Sequence, residues 1–260
     1  MSDAPRFNVL GVGVSALTLT DATHRIIATQ GQKQLGYISV CTVNGISEAR
    51  RVPALQKIFN HSWLNTPDGM PLVWLGRHHG HDTITRVYGP DLMLLVCDAG
   101  RASGLRHYFY GGAPGVAESL QAKLSARFPG LEVVGTYTPP FHPLSNDEFT
   151  ALQADIAAKS PDIIWVGLGT PKQERFMAET WAKLDTALMI GVGAAFDFHS
   201  GRVRQAPQWM QRSGLEWLFR LAMEPRRLAY RYLVYNPLFV LRTFAQLSGL
   251  KRYPIDPSDN

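Results

Sequence analysis

The sequence predicts an α/β fold: a Rossmann-like parallel sheet core with helices on both faces, followed by a C-terminal helical appendage. Three observations carry that prediction. Short apolar, β-branched runs alternate with longer stretches of helical periodicity up to about residue 200. Beyond that point the strand-like runs stop, and Trp217, Leu221, Leu228, Tyr232, Tyr235 and Phe239 recur at helical spacing, punctuated by Pro225 and Pro237. At 260 residues, 45% hydrophobic and 18% charged, the chain can build a core, which excludes disordered, collagenous and coiled-coil classes.

Taken in order, residues 7–14 read as a strand and 21–32 as a helix begun by Asp21. Strand 37–43 and helix 46–59 follow, then helix 91–101, opened by Asp91. Strand 107–110 precedes helix 114–128, which starts at Pro114. Strand 132–137 leads to helix 147–159, strand 163–167 to helix 171–183, and strand 187–192 closes the series. Parallel strands joined by crossover helices place ligands beyond their C-terminal ends. The expected division is an α/β core over 1–200, able to fold without the tail, and a basic amphipathic appendage over 201–260.

Charge sharpens that division. Residues 201–260 hold ten Lys and Arg against four Asp and Glu, whereas residues 1–200 are close to neutral. A basic tail with interleaved aromatics suits an anionic partner: a phosphate, an acidic membrane surface lying under an interfacial helix, or a nucleic acid. No apolar stretch approaches the roughly 20 residues that span a bilayer, and the N-terminus shows no basic region followed by an apolar run. The two cysteines, Cys41 and Cys97, cannot form a disulfide framework or a four-ligand zinc site, which points to a reducing, cytoplasmic setting.

Several motifs carry candidate chemistry. Gly11-Val-Gly13-Val-Ser-Ala16 fits a dinucleotide fingerprint formally, and a nicotinamide-dependent oxidoreductase is one alternative reading; no acidic residue closes the next strand to hold a ribose, so a structural glycine turn is the simpler one. Tyr110-Gly111-Gly112-Ala-Pro114-Gly115 follows a strand and opens a helix, a layout that serves either a phosphate cradle or a tight turn. Gly167-Leu-Gly169-Thr170-Pro171-Lys172-Gln173-Glu174 repeats it with hydroxyl, amine and amide groups that favour ligand contact. Asp68 lies in a loop bounded by Pro67 and Gly69, where a helix N-cap is the ordinary role. His78, His79, His81 and Asp82 read as a solvated polar loop rather than a metal site, and the chain contains no Asp-x-Asp pair.

Read together, Thr42-Val-Asn44, Pro67-Asp68-Gly69-Met70-Pro71, Arg86-Val-Tyr88-Gly89-Pro-Asp91, Tyr110-Gly111-Gly112 and Gly135-Thr-Tyr137-Thr-Pro139-Pro140-Phe141 form an ordered series. It continues through Val166-Gly-Leu-Gly169-Thr-Pro171-Lys-Gln173-Glu174, Gly191-Val-Gly193-Ala-Ala-Phe196-Asp197 and Gly214-Leu-Glu216-Trp217-Leu-Phe-Arg220-Leu-Ala-Met-Glu224-Pro225-Arg226-Arg227. Over residues 7–245 it resembles the WecG/TagA/CpsF glycosyltransferases. The resemblance implies an inverting enzyme, peripheral on the cytoplasmic face of the bacterial plasma membrane, that moves a sugar from a UDP-sugar to a polyprenyl-diphosphate-linked sugar in surface-polysaccharide synthesis. It implies no metal or other cofactor, no nucleic-acid partner, an anionic membrane surface met through residues 201–260, and is compatible with a homo-oligomer. Asp68 matches the family's proposed general base. Thr42 and Asn44 match its sugar pocket, Gln173 a donor-side polar residue, and Arg220 and Arg227 the arginines that meet the diphosphate. Arg86, Gly111, Gly112, Tyr137 and Gly169 stand in matched blocks and join the implied substrate-binding set. Tyr230, beside Arg231, departs from the basic residue expected there. The residues alone leave a nucleic-acid-binding module over 202–252 as the rival reading.

Overall fold

The computed structural model describes residues 4–255, apart from the side chains of Arg227 and Arg231; residues 256–260 of the expected tail lie outside the described residues. In chain order the elements are β1 (Arg6–Val9), β2 (Val12–Ser15), α1 (Leu19–Ile27), β3 (Gly36–Cys41), α2 (Val43–Ala49), α3 (Pro53–Asn60), β4 (Leu64–Pro67), α4 (Met70–His78), α5 (Gly89–Ala99), β5 (Arg106–Gly111), α6 (Val116–Arg127), β6 (Glu132–Tyr137), α7 (Asn146–Lys159), β7 (Ile163–Gly167), α8 (Lys172–Thr180), β8 (Leu188–Gly191), α9 (Ala195–His199), α10 (Gln208–Arg212), α11 (Glu216–Met223), α12 (Pro225–Tyr230) and α13 (Asn236–Leu247). The α/β class is as the sequence predicts, with a six-stranded parallel sheet in the order β4-β3-β8-β7-β5-β6.

The described residues divide into two compact units, one of residues 20–39 and 89–204, the other of 4–19, 40–88 and 205–255. In the first, β7 is the apolar run Ile163-Ile-Trp-Val166, wholly buried, and it pairs with β5 and β8. Continuous apolar runs of this kind belong to strands covered on both faces, and burying each such side chain contributes about 1.5–3 kcal/mol. Helix α6 lies on β5 and β6, and α8 on β7 and β8. Ser145 and Glu148 close a capping box at the start of α7.

The second unit departs from the sequence reading in several places. The single strand expected over 7–14 is a hairpin: β1 and β2 pair antiparallel, Phe7 opposite Val14 and Val9 opposite Val12. Leu10 (φ 54°) and Gly11 (φ 88°) form its two-residue tip, a left-handed turn whose twist matches the flanking strands. Gly11 therefore turns a hairpin and Gly13 sits within β2, and the next helix, α1, begins at Leu19, beyond the motif, so neither glycine leads from a parallel strand into a helix N-terminus that could receive a pyrophosphate; the dinucleotide reading is overturned. The helix expected over 46–59 is split into α2 and α3, because Pro53 holds Val52 extended (φ −125°, ψ 95°). Neither β4 nor α4 was legible. The sequence Leu-Asn-Thr-Pro does not read as a strand, yet β4 is an edge strand, where proline costs no ladder bond, and Asn65 donates to the Gly13 carbonyl at 3.1 Å.

Of the appendage expected over 201–260, the described residues from 205 on group with 4–19 and 40–88. Phe239 and Tyr253 are buried in one cluster with Phe7, Val12, Ile46 and Phe59. Gln246 accepts from the Leu10 amide at 2.9 Å and donates to the Asn8 carbonyl at 3.0 Å, while Asn8 donates to the Tyr253 carbonyl at 2.7 Å. The hairpin is thus tied to the C-terminal helices by hydrogen bonds as well as by packing.

Candidate active site

Asp68 follows the last residue of β4. Its amide donates to the Cys41 carbonyl at the end of β3 (2.8 Å), and the Pro67 carbonyl accepts from Val87 (2.8 Å). The position is the C-terminal edge of the sheet, where a parallel fold places its ligands. The N-cap role expected for Asp68 is taken by Gly69 (φ 116°), which caps α4 without a side-chain bond. The carboxylate is thereby released to face Arg86.

Arg86 donates to Asp68 Oδ1 from Nε (3.0 Å) and from Nη2 (2.9 Å). The same Nη2 donates to Glu216 Oε2 at 2.6 Å, and the Tyr88 hydroxyl donates to Glu216 Oε1 at 2.8 Å. The guanidinium lies 4.0 Å from the centroid of the Tyr88 ring. Glu216 opens α11, and Arg220 stands one turn on. All four of Asp68, Arg86, Tyr88 and Glu216 are largely shielded from water, Asp68 and Glu216 with 13% of the side chain exposed.

This setting changes the chemistry of Asp68. Burial penalises the ionised carboxyl and outweighs the attraction of Arg86, while the Glu216 charge adds to the penalty and Arg220 opposes it; the carboxyl is raised from 3.8 to about 6. Both hydrogen bonds fall on Oδ1, and among the described residues Oδ2 accepts none. A carboxylate that holds a proton more tightly than usual, with one oxygen open and some solvent access, is suited to accept a proton near neutral pH. Burial and the neighbouring carboxylate also raise the Tyr88 hydroxyl, which stays protonated as the donor to Glu216.

The other expected residues of this unit are placed nearby in the fold. Thr42 is the N-cap of α2, its hydroxyl accepting from the Gly45 amide at 3.1 Å, and Asn44 carries a buried Oδ1 that has no hydrogen-bond partner among the described residues. An unpartnered amide oxygen of this kind costs stability unless a ligand satisfies it. Arg220 lies close enough to Asp68 to act on its charge. The side chain of Arg227 lies outside the described residues.

The remaining candidates belong to the other unit. Gly111 ends β5 at φ 129°, and a Cβ there would stand 2.7 Å from the Gly167 backbone; Gly112 (φ 79°) donates its amide to the Gly167 carbonyl at 3.1 Å. These glycines are required by the close approach of β5 to β7. Helix α6 starts at Val116 behind an N-cap at Gly115, so Pro114 precedes the helix instead of opening it. Tyr137 stacks on Tyr110 (5.5 Å between centroids), which stacks on Phe176 (4.3 Å). Gln173 is buried and engaged at both ends of its amide, accepting from the Gly169 amide (3.1 Å) and donating one N–H to Glu174 Oε1 (3.1 Å). Thr170 also donates to that oxygen at 2.9 Å, and burial raises the Glu174 carboxyl.

Among the described residues no group of three or more His, Cys, Asp and Glu side chains gathers as a metal ion requires, and His79 and His81 instead pack their rings near Phe7. Cys41 and Cys97 are both buried. Glu216 and Tyr88 are the site residues that sequence reasoning passed over. Both stand in the matched blocks, but nothing local marks a glutamate at a helix start as the partner of an arginine 130 residues earlier.

Relatives include the N-acetylglucosaminyldiphosphoundecaprenol N-acetyl-beta-D-mannosaminyltransferases of Bacillus subtilis (strain 168), 29% identical over 75% of this chain and 73% of the relative, and of Bacillus spizizenii, 30% identical over 74% and 72%. The sequence profile of the glycosyl transferase WecG/TagA/CpsF family matches residues 7–253, nearly the whole chain, and the protein belongs to that family of glycosyltransferases.

Proposed function

We propose that the protein moves a hexose, N-acetylhexosamine or N-acetylhexosaminuronic acid from a UDP-sugar to a polyprenyl-diphosphate-linked sugar, with inversion, in the synthesis of a bacterial surface polysaccharide. The observation that carries the reading is the Asp68 carboxylate, raised to about 6 with Oδ2 open. A sugar hydroxyl is a weak nucleophile, and inversion requires one base on its side of the sugar ring. Asp68 takes the hydroxyl proton as the oxygen bonds the anomeric carbon, and the bond to the diphosphate breaks with its electron pair leaving on UDP. Arg220 and Arg227 meet the charge that develops on that diphosphate. Thr42, Asn44 and Arg86 orient the sugars. Donor-side roles for Gly111, Gly112, Tyr137, Gly169 and Gln173 are supported by their place at or just beyond the C-terminal ends of β5, β6 and β7. The names of the Bacillus relatives favour N-acetylmannosamine as the first sugar to test.

Catalysis without a metal belongs to the same proposal, because Arg220 and Arg227 offer a cationic alternative for the diphosphate and the carboxylates of Asp68 and Glu216 are already engaged by Arg86. A lipid-linked acceptor calls for access to a membrane. No described helix is long and apolar enough to cross one, but the basic C-terminal region exposes Trp209, Tyr230, Leu233, Leu241, Phe244 and Leu250. Apolar and aromatic side chains among arginines suit peripheral, salt-sensitive binding to anionic lipid on the cytoplasmic face. The test is release of UDP and formation of a disaccharide diphosphate lipid from UDP-N-acetylmannosamine and a short prenyl-diphosphate-N-acetylglucosamine, with other UDP-sugars in parallel. Absence of transfer from every donor would overturn the reading. Failure to pellet with phosphatidylglycerol vesicles at low salt would remove the membrane part alone.

A further inference from the structure

We propose that Glu216 is a positioning residue of the Asp68 site, holding one arm of Arg86 so that the guanidinium grips a single oxygen of Asp68 and leaves the other open to receive a proton. An arginine facing one carboxylate adopts a fork-on-fork pairing, with two N–H groups on two oxygens. Here Nε and Nη2 both reach the same oxygen, Oδ1. The cause is the sharing of Nη2, whose bond to Glu216 Oε2 (2.6 Å) is shorter than its bond to Asp68 (2.9 Å). Glu216 is itself anchored, because the Tyr88 hydroxyl donates to its second oxygen and the Tyr88 ring lies under the guanidinium. With Glu216 neutral or absent, Nη2 can swing to Oδ2, complete the fork and occupy the lone pair that catalysis needs.

The charges around Asp68 point the same way. Arg86 and the Tyr88 hydroxyl approach from the segment before α5 and Glu216 and Arg220 from α11, while at the end of β3 the Cys41 carbonyl accepts from the Asp68 amide. Of these, Glu216 is the anion that opposes ionisation of Asp68, and the two arginines favour it. Glu216 therefore sets both the geometry and the basicity of the carboxylate. As the first residue of α11 it also has an ordinary alternative role, an acidic residue at a helix N-terminus, which stabilises the helix without touching Asp68.

This inference rests on Asp68 being the base for the transfer proposed above, and its test has an arm that needs no turnover. The full chain, labelled with ¹³C at the aspartate carboxyls, is titrated by NMR, with Asp68→Asn identifying the Asp68 signal. Wild type is expected to titrate near 6. Glu216→Gln, which keeps a neutral acceptor for Arg86, is expected to lower the midpoint by about one pH unit, and Glu216→Ala, which keeps none, to lower it further. In the transfer assay with UDP-N-acetylmannosamine, the acid limb of kcat/KM should move down with it. Glu216→Gln then shows a ratio of activity at pH 5 to that at pH 8 about fivefold higher than wild type, on a plateau several-fold lower because the base is weaker. An unchanged NMR midpoint in folded Glu216→Gln overturns the proposal and leaves only the helix-end role. A lowered midpoint in a protein that transfers no sugar supports the proposal for the carboxylate and overturns the transferase reading instead.

Discussion

Replacing Asp68 by Asn should slow transfer severely while making the protein more stable at alkaline pH. The carboxyl is raised from 3.8 to about 6, chiefly by burial. At about 1.36 kcal/mol per pH unit, a shift of about two units means that keeping Asp68 ionised costs the folded state up to ~3 kcal/mol. The sign follows from linkage: the folded state binds the proton more tightly than the unfolded chain, so wild-type stability rises as pH falls from about 6 towards 4, and the penalty is fully present above 6. Asn carries no charge at any pH, keeps an acceptor for Arg86, and leaves Glu216 as that arginine's anion. Because that shift already includes the attraction of Arg86, relief of the penalty should raise Tm by about 2–4 °C per kcal/mol at pH 8, with the difference vanishing near pH 4. Over the same range kcat should fall on the order of 10²–10⁴ for a lost general base. Calorimetry at pH 4, 6 and 8 and a transfer assay at pH 8 measure both. Near-wild-type turnover in Asp68→Asn would refute the base assignment, and a lower Tm at pH 8 would refute the statement that ionised Asp68 is a burden on the fold.

Other outcomes follow from the same geometry. Gly111→Ala should lose on the order of 2–4 kcal/mol, because the added methyl meets the Gly167 backbone at 2.7 Å and φ is 129°; chemical denaturation checks it, and a stable variant would contradict the β5–β7 approach. Excess EDTA should leave transfer unchanged, whereas activity lost with chelator and restored by Mg²⁺ or Mn²⁺ would show a required metal. Arg220→Ala should reduce kcat by roughly 10²–10³ if it meets diphosphate charge, and normal transfer would remove it from that role. Ending the chain after residue 204 should unfold the unit that contains Asp68, since Phe239 and Tyr253 leave its core; limited proteolysis would then cut within 4–19 or 40–88, and resistance there would show that the helices are dispensable.

What could be read from the sequence depended on how local the cause was. Strand β7 is visible because four consecutive apolar residues are buried, and α7 because Ser145 and Glu148 write a capping box into four positions. Strand β4 is invisible because its polar residues are satisfied by partners far away, as when Asn65 bonds Gly13. The β1–β2 tip misleads in the other direction: Gly11-x-Gly13 has the spacing of a phosphate turn, and only the hairpin pairing shows that it is not one. For the site, a loop carboxylate next to proline and glycine supplied the position of Asp68, and family resemblance supplied its role. The pairing of Arg86 with Glu216 could not be read at all, because it joins segments 130 residues apart that carry no complementary local pattern.

That separation has a bearing on how the protein is made. Synthesis proceeds from the N-terminus at about 5–20 residues per second, so roughly 6 to 26 s pass between the emergence of Arg86 and of Glu216. During that interval the unit of residues 20–39 and 89–204 has all of its sequence before the other unit does, and can fold first on the ribosome. The β1–β2 hairpin must wait longer still, with Leu10 lacking Gln246 and Tyr253 not yet translated. The proton-accepting group is consequently among the last parts of the nascent chain to be assembled, and a messenger truncated between codons 86 and 216 yields a polypeptide with Asp68 and Arg86 present but no Glu216 to position the arginine.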